Sequence, residues 1–114
     1  MNDLEETIYI NRLLDIYGRL LTMSQLEIMQ DYYQLNLSLS EIAENRNITR
    51  TAVSDALKKG REKLDNYEEK LGICKVFDSL KKESNKEQSE ILDKVEERIK
   101  NGIWIIDWTF SKNI

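Results

Sequence analysis

The chain of 114 residues carries 17 basic and 21 acidic side chains, which gives a formal net charge of −4, and it contains neither proline nor histidine. This length supports one domain with a modest core, and 40% hydrophobic with 33% charged residues is typical of a soluble globular protein. The absence of histidine removes the usual catalytic base, and the single cysteine, Cys74, excludes an internal disulfide and a cysteine-rich metal site.

Hydropathy and the amino-terminal sequence predict a cytoplasmic protein. No stretch reaches the roughly 18 apolar residues that a membrane span needs, and the start MNDLEETIYIN lacks the basic and apolar regions of a signal peptide. No glycine-rich phosphate loop occurs, and the carboxylates occur in pairs such as Glu68 and Glu69, next to lysines, as on solvated helix faces. We therefore expect no enzyme activity, no catalytic residue and no cofactor, with Cys74 as a small buried hydrophobic residue.

Helical periodicity predicts two helices before residue 37. The first is expected from about Asp3 to Leu20, with acidic residues in its first turn, where they favour the helix dipole. The second should begin at Thr22, with Gln25 completing a capping pair, and should end near Leu35 and Asn36.

The next stretch predicts a helix-turn-helix. Ser38 and Glu41 have the spacing of a capping box, so a short helix should begin there. Residues 45–47 read NRN and should interrupt it, because asparagine tolerates turn conformations. Ile48 would fill the corner, and Thr49 would cap a longer helix that runs to about Leu71.

The remaining sequence predicts two further helices and an aromatic end. Helices are expected from Ile73 to Leu80 and from about Glu87, whereas the alternation from Trp104 to Phe110 would suit a strand that has no partner in the chain. The predicted fold is an all-α helical bundle with two parts: a helix-turn-helix domain at 1–71 and a carboxy-terminal helical extension at 72–114, packed on the same body or on a dimer partner. The predicted core consists of Leu13, Leu14, Tyr17, Leu21, Leu26, Met29, Tyr33, Leu39, Ile42, Ala43, Ile48, Val53 and Leu57.

Part of this sequence resembles known proteins. The run from Leu21 to Leu64, with Thr22 and Gln25, the pair Tyr32 and Tyr33, and the segment SLSEIAENRNITRTAVSDALKK, resembles the fourth region of bacterial sigma factors. Together, LLTMSQLEIMQDYYQLNLSLSEIAE and AVSDALKKGREKLDNYEEKLG are most similar to the YlxM family, small bacterial proteins encoded beside the signal recognition particle GTPase and its receptor. The resemblance covers roughly Asn11 to Leu71. It implies an all-helical homodimer with a regulatory or accessory role in the signal recognition particle pathway.

The second helix of the helix-turn-helix offers a candidate DNA-binding face. Between Arg46 and Leu64 the sequence has six basic and two acidic residues, a local excess of 6 − 2 = +4 on an acidic chain. The 100° step per residue places the candidate contacts on one outward face: Arg50, Thr51, Ser54, Asp55, Lys58 and Arg61. Thr51 and Ser54 could meet base edges, while the basic side chains reach phosphate or guanine. The alternative is a solvated face, or one used for protein contacts.

Surplus apolar residues predict a packing or dimer surface. The long helix has a row of apolar side chains on one face that extends past the small bundle. These side chains need a further surface to pack against, either the carboxy-terminal helix or a second subunit. The candidate residues are Leu64, Tyr67, Leu71, Trp104, Trp108 and Phe110. The aromatic end could dock on its own chain, join a dimer, or contact a partner protein.

These features leave three functional hypotheses. The first is a non-enzymatic regulatory or accessory protein of the YlxM type, with the signal recognition particle protein or its RNA as partner. The second is a transcriptional regulator that binds DNA through the outward face. The third is a structural homodimer with no nucleic-acid role.

Overall fold

The computed structural model describes residues 3–101, which form six α-helices and one 3₁₀ turn. The elements are α1 (Asp3–Tyr17), the 3₁₀ turn (Gly18–Leu20), α2 (Met23–Tyr33), α3 (Leu39–Arg46), α4 (Arg50–Leu71), α5 (Ile73–Glu83) and α6 (Lys86–Asn101). No strand occurs within this range, and the predicted all-α fold with a long fourth helix is confirmed. The chain divides after Leu71 into two compact units, one with α1–α4 and the other with α5 and α6.

Side-chain caps determine where α2 and α3 begin. The Thr22 hydroxyl accepts a hydrogen bond from the Gln25 N–H at 3.2 Å, and the Gln25 side chain accepts one from the Thr22 N–H at 3.4 Å. Ser38 and Glu41 form the same reciprocal pair, with both distances at 3.1 Å. The two predicted capping boxes are therefore present. The first helix ends earlier than expected, at Tyr17, because the chain tightens into the 3₁₀ turn at Gly18.

Helix α4 is the element that the first unit packs around, since it contacts α1, α2 and α3. Eight of the predicted core residues are buried: Leu13, Leu14, Tyr17, Leu21, Met29, Ile42, Ala43 and Val53. The prediction for Ile48 was wrong, because 38% of its surface is exposed. The apolar cluster beside the turn is formed by Ile28, Ile42, Ala43 and Val53 without Ile48, whose backbone N–H bonds to the Ala43 carbonyl at 3.0 Å.

The second unit is a pair of helices joined by Ser84 and Asn85. Asn85 caps α6, since its side-chain oxygen accepts from the Gln88 N–H at 2.8 Å. Across the pair, the Lys81 ammonium lies 2.9 Å from the Asp93 carboxylate and 3.4 Å from that of Glu96. Cys74 is buried in α5, as expected.

The aromatic end lies outside the described residues. The strand-like pattern from Trp104 to Phe110 and the packing role assigned to Trp104, Trp108 and Phe110 therefore stay predictions. Within residues 3–101, no helix combines the length and hydropathy needed to cross a bilayer.

Candidate nucleic-acid interface

The connection between α3 and α4 is a three-residue turn. Asn47 adopts the left-handed conformation, with φ 54° and ψ 48°, which asparagine accepts more readily than most residues. Its N–H bonds to the Glu44 carbonyl at 3.3 Å, and the Thr49 hydroxyl accepts from the Ala52 N–H at 3.0 Å. The expected cap at Thr49 is thus confirmed, and the chain redirects within residues 47–49.

The break was predicted to span residues 45–47, but α3 continues through Arg46. The reason lies in the Arg46 side chain, which holds the last turn of α3 against α2. Its Nε donates to Asp31 at 2.7 Å and its Nη1 donates to Glu27 at 2.8 Å. The hydrogen bond to Asp31, followed by the one to Glu27, raises the pKa of Arg46 above its ordinary value.

A small apolar cluster fixes the crossing of the two helices. Ile42 and Ala43 of α3 pack with Val53 of α4 and Ile28 of α2, and all four are buried. Leu57 joins from the next turn of α4. Because Val53 and Leu57 face this cluster, the opposite side of the first three turns of α4 faces water.

Five of the six predicted contact residues lie on that outward side. The exposed ones are Arg50, Thr51, Ser54, Asp55 and Lys58. Spacings of three, four and seven residues bring them onto neighbouring turns of one helix. Asp55 also forms an ion pair with Lys59 at 3.0 Å, so its charge is partly compensated.

Arg61 lies elsewhere, against the first helix. Its guanidinium forms an ion pair with Glu6 of α1, and its Nε lies 3.7 Å from Asp65. Nearby, Lys63 donates to the Gln25 side chain at 3.0 Å. Sequence reasoning placed Arg61 on the outward face because it considered α4 alone, and the acidic first turn of α1 was the signal that could have indicated a partner.

These contacts reduce the cationic charge that α4 offers to a ligand. Of the six basic residues between positions 46 and 64, Arg46, Lys59 and Arg61 have carboxylate partners. Arg50 and Lys58 form no ion pair with any residue of the described range, and both are exposed. Apart from Lys63, whose partner Gln25 is uncharged, the uncompensated positive charge therefore lies in the amino-terminal half of α4, in the part that would enter a major groove.

A cleft of about 560 Å³ opens on another side of the first unit. Its lining consists of Asp3, Glu6, Thr7, Tyr32, Tyr33, Asn36, Leu37, Ser38 and Glu41. Burial, followed by the charge of Tyr32, raises the pKa of Tyr33. Three carboxylates in one cleft disfavour phosphate, so the cleft is unsuited to a nucleic-acid backbone.

The comparison with protein families agrees with this geometry. Residues 4–103 match the model of the UPF0122 family, described as "Putative helix-turn-helix protein, YlxM / p13 like". The chain belongs to this family. The YlxM resemblance predicted from the sequence is confirmed, and the matched range includes both helices of the turn.

Individual UPF0122 proteins are similar over most of their length. One from Malacoplasma penetrans is 42% identical over 97 residues, which cover 83% of this chain and 90% of the relative. One from Clostridium acetobutylicum is 37% identical over 107 residues, which cover 91% and 90%. The UPF0122 match ends at residue 103, directly before Trp104.

The candidate dimer residues differ in how much surface they offer. Leu64 is fully buried within a single chain. Tyr67 donates from its hydroxyl to the Leu20 carbonyl at 3.2 Å, and its ring centroid lies 6.1 Å from that of Tyr17. Leu71 has 56% of its surface exposed, and thus offers the largest exposed fraction of these three positions. Their part in a dimer stays a prediction.

Proposed function

We propose that this protein is a helix-turn-helix regulatory protein that binds duplex DNA through the amino-terminal half of α4. The supporting observation is the pair Arg50 and Lys58, which are exposed, lie in the amino-terminal half of α4, and form no ion pair with a residue of the described range. Non-specific affinity for DNA comes mainly from neutralised phosphates, so uncompensated cations at this position favour binding.

The outward side chains would divide the recognition between them. Arg50 and Lys58 contact phosphates and set the register of the helix on the duplex. Thr51 and Ser54 lie between them, and their hydroxyls can donate to or accept from base edges. Asp55, held by Lys59, lies beside these hydroxyls and disfavours phosphate at its own position.

The rest of α4 restricts how far the duplex can extend. Glu62 and Glu69 are exposed on later turns of the same helix, and so is Asp65, whose carboxylate lies 3.7 Å from the Arg61 Nε. Their carboxylates repel phosphate, which limits the contact to about the first three turns of α4. The change of charge along α4 therefore favours an approach in which the amino-terminal half of the helix lies against the duplex.

The test is a titration of the full chain against labelled fragments of genomic DNA. Arg50→Ala and Lys58→Ala should each weaken binding about fivefold or more, because each removes a phosphate contact. Lys70→Ala is the matched control, since it removes the same charge from an exposed position at the other end of α4. An affinity that falls equally in all three variants, or in none, would contradict this face.

A role in the signal recognition particle pathway is a second candidate, and the resemblance to YlxM proteins supports it. We propose that the protein acts there as an accessory factor without an enzymatic step, with the particle's protein or RNA as partner. Pull-down with both components at physiological salt tests this. If neither component is retained, the accessory role is excluded, but the proposal of DNA binding still stands.

A homodimer and a cytoplasmic location belong to the same proposal. Leu71 supports the dimer, since more than half of this leucine is exposed at the end of α4. Light scattering of the full chain measures the dimer, and cell fractionation measures the location. A dimer that binds none of the nucleic acids would instead favour a structural role.

A further inference from the structure

The two helices of the second unit expose more apolar surface than such a short pair needs. In α5, Val76 and Leu80 are 55% and 44% exposed. In α6, Ile91 and Val95 are 60% and 43% exposed, and none of the sixteen residues of this helix is buried. Both helices are amphipathic, so these side chains form continuous stripes that exclude water only when covered.

A groove of about 450 Å³ lies where the two stripes approach the connection. It is lined by Leu80, Glu83, Ser84, Gln88, Ile91 and Leu92. Three aliphatic side chains, with hydroxyl, amide and carboxylate groups beside them, suit an apolar segment whose backbone needs hydrogen-bond partners. Glu83 disfavours a second carboxylate inside the groove, so a carboxylate of the occupant has to face water.

We propose that this groove binds the chain's own segment Trp104–Phe110. The segment contains two tryptophans, two isoleucines and a phenylalanine, with Asp107 as its single charged residue. Aromatic side chains of this kind bury the largest apolar area per residue. The segment lies beyond residue 103, where the family match ends, so the match assigns it no role.

The chain length is sufficient for this docking. Ile91 lies ten residues before Asn101, where α6 ends, and this corresponds to about 15 Å along the helix. Residues 102–108, if extended, reach about 23 Å, so Trp108 can return to the level of Ile91. Gly102 directly follows α6 in the sequence, and glycine permits the reversal that such a return requires.

The occupant is expected to come from the same chain and not from a second copy. A segment tethered by a few residues has an effective concentration in the millimolar range. A second copy would need a comparable concentration of free protein to compete. Docking should therefore be independent of protein concentration.

Tryptophan fluorescence of the full chain measures the docking directly, because both tryptophans, Trp104 and Trp108, belong to the segment. We expect blue-shifted emission and several-fold slower quenching by acrylamide than in the urea-unfolded chain, both unchanged on dilution. Tryptophans that are quenched as fast as in urea would overturn the proposal. If the tryptophans lose their protection from acrylamide on dilution, the proposal is also overturned, because the segment would then bind to a second copy of the chain.

Groove variants identify where the segment binds. Ile91→Glu should shift the emission to the red and restore fast quenching, and Leu80→Glu should do the same from the other helix. Ile91 is 60% and Leu80 44% exposed, so neither is a core position and circular dichroism should show an unchanged helix content. Ser79→Glu is the matched control, because it adds the same charge to an exposed position of α5 outside the groove. Equal emission in Ile91→Glu, Leu80→Glu and Ser79→Glu would exclude this groove.

Discussion

At the scale of single residues, Gly60 shows why α4 can lie so close to α2. A Cβ built at Gly60 would lie 2.9 Å from the Met29 sulfur and 3.0 Å from its Cγ, and Met29 is fully buried. We predict that Gly60→Val lowers the free energy of unfolding by about 2–3 kcal/mol, because the core must shift to admit the side chain. Urea unfolding followed by circular dichroism measures this.

Asn66→Val is the control for Gly60→Val, since it adds the same β-branched side chain at an exposed position of α4. Its effect should stay within about 0.5 kcal/mol. Equal urea midpoints for the two variants would contradict the prediction, because they would show that α2 and α4 accommodate the valine without a loss of stability.

Residue-level features were predictable where they depend on neighbours in sequence. The turn at Asn47 follows from the local chemistry of asparagine, and the break was predicted within two residues of its position. The burial of Ile48 was predicted wrongly, because it depends on how closely α2, α3 and α4 approach each other. Periodicity shows which side of a helix is apolar, but it does not show how much of each side chain another helix covers.

At the scale of elements, Lys81 ties α5 to α6 and makes this pair sensitive to alkaline pH. The hydrogen bond to Asp93, with the charge of Glu96, raises the pKa of Lys81 above 10.5. Because the pKa is raised, the pairing stabilises the folded chain fully at pH values below 10.5, the ordinary pKa of lysine. This stabilisation is lost as the pH rises through the pKa that Lys81 has in the folded chain. We predict that Lys81→Met costs about 0.5–1 kcal/mol at neutral pH and has a fading effect above pH 10.5.

Lys82→Met separates this pairing from general effects of charge. Lys82 is the exposed neighbour of Lys81 in the same turn of α5. Urea unfolding of both variants across alkaline pH should show a pH-dependent difference from the unsubstituted chain for Lys81 alone. A constant cost for Lys81→Met at every pH would show that packing of the lysine stem, and not its charge, holds the two helices.

Helix starts were predictable from the sequence, whereas contacts between helices were not. The capping boxes at Thr22 and Ser38 involve residues three apart, so the pattern contains both partners. The ion pairs of Arg46 with Glu27 and of Arg61 with Glu6 join residues 19 and 55 positions apart. Only the packing of the helices brings the partners of these ion pairs together. The prediction from sequence therefore overestimated the positive charge that α4 can offer to a ligand.

At the scale of the whole molecule, a net charge of −4 makes any affinity for DNA depend on a few cations. The sequence suggested a local excess of +4 between residues 46 and 64, but internal ion pairs occupy half of the six basic residues there. Acidic side chains on the later turns of α4 add repulsion. The molecule should therefore bind non-specific DNA weakly and with little dependence on salt compared with strongly basic regulators.

The dependence of affinity on salt measures how many cations reach phosphate. With Arg50 and Lys58 as the contacts, the logarithm of the binding constant should fall against the logarithm of salt concentration with a slope of about −2 per protomer. Arg50→Ala should bring the slope to about −1, because one phosphate contact is lost. Glu6→Gln removes the carboxylate that pairs with Arg61, and the slope should stay near −2, since Arg61 lies away from the outward face. A slope near −5 in the unsubstituted chain would mean that the paired cations also contact DNA, and the face would then be larger than Arg50 and Lys58 define.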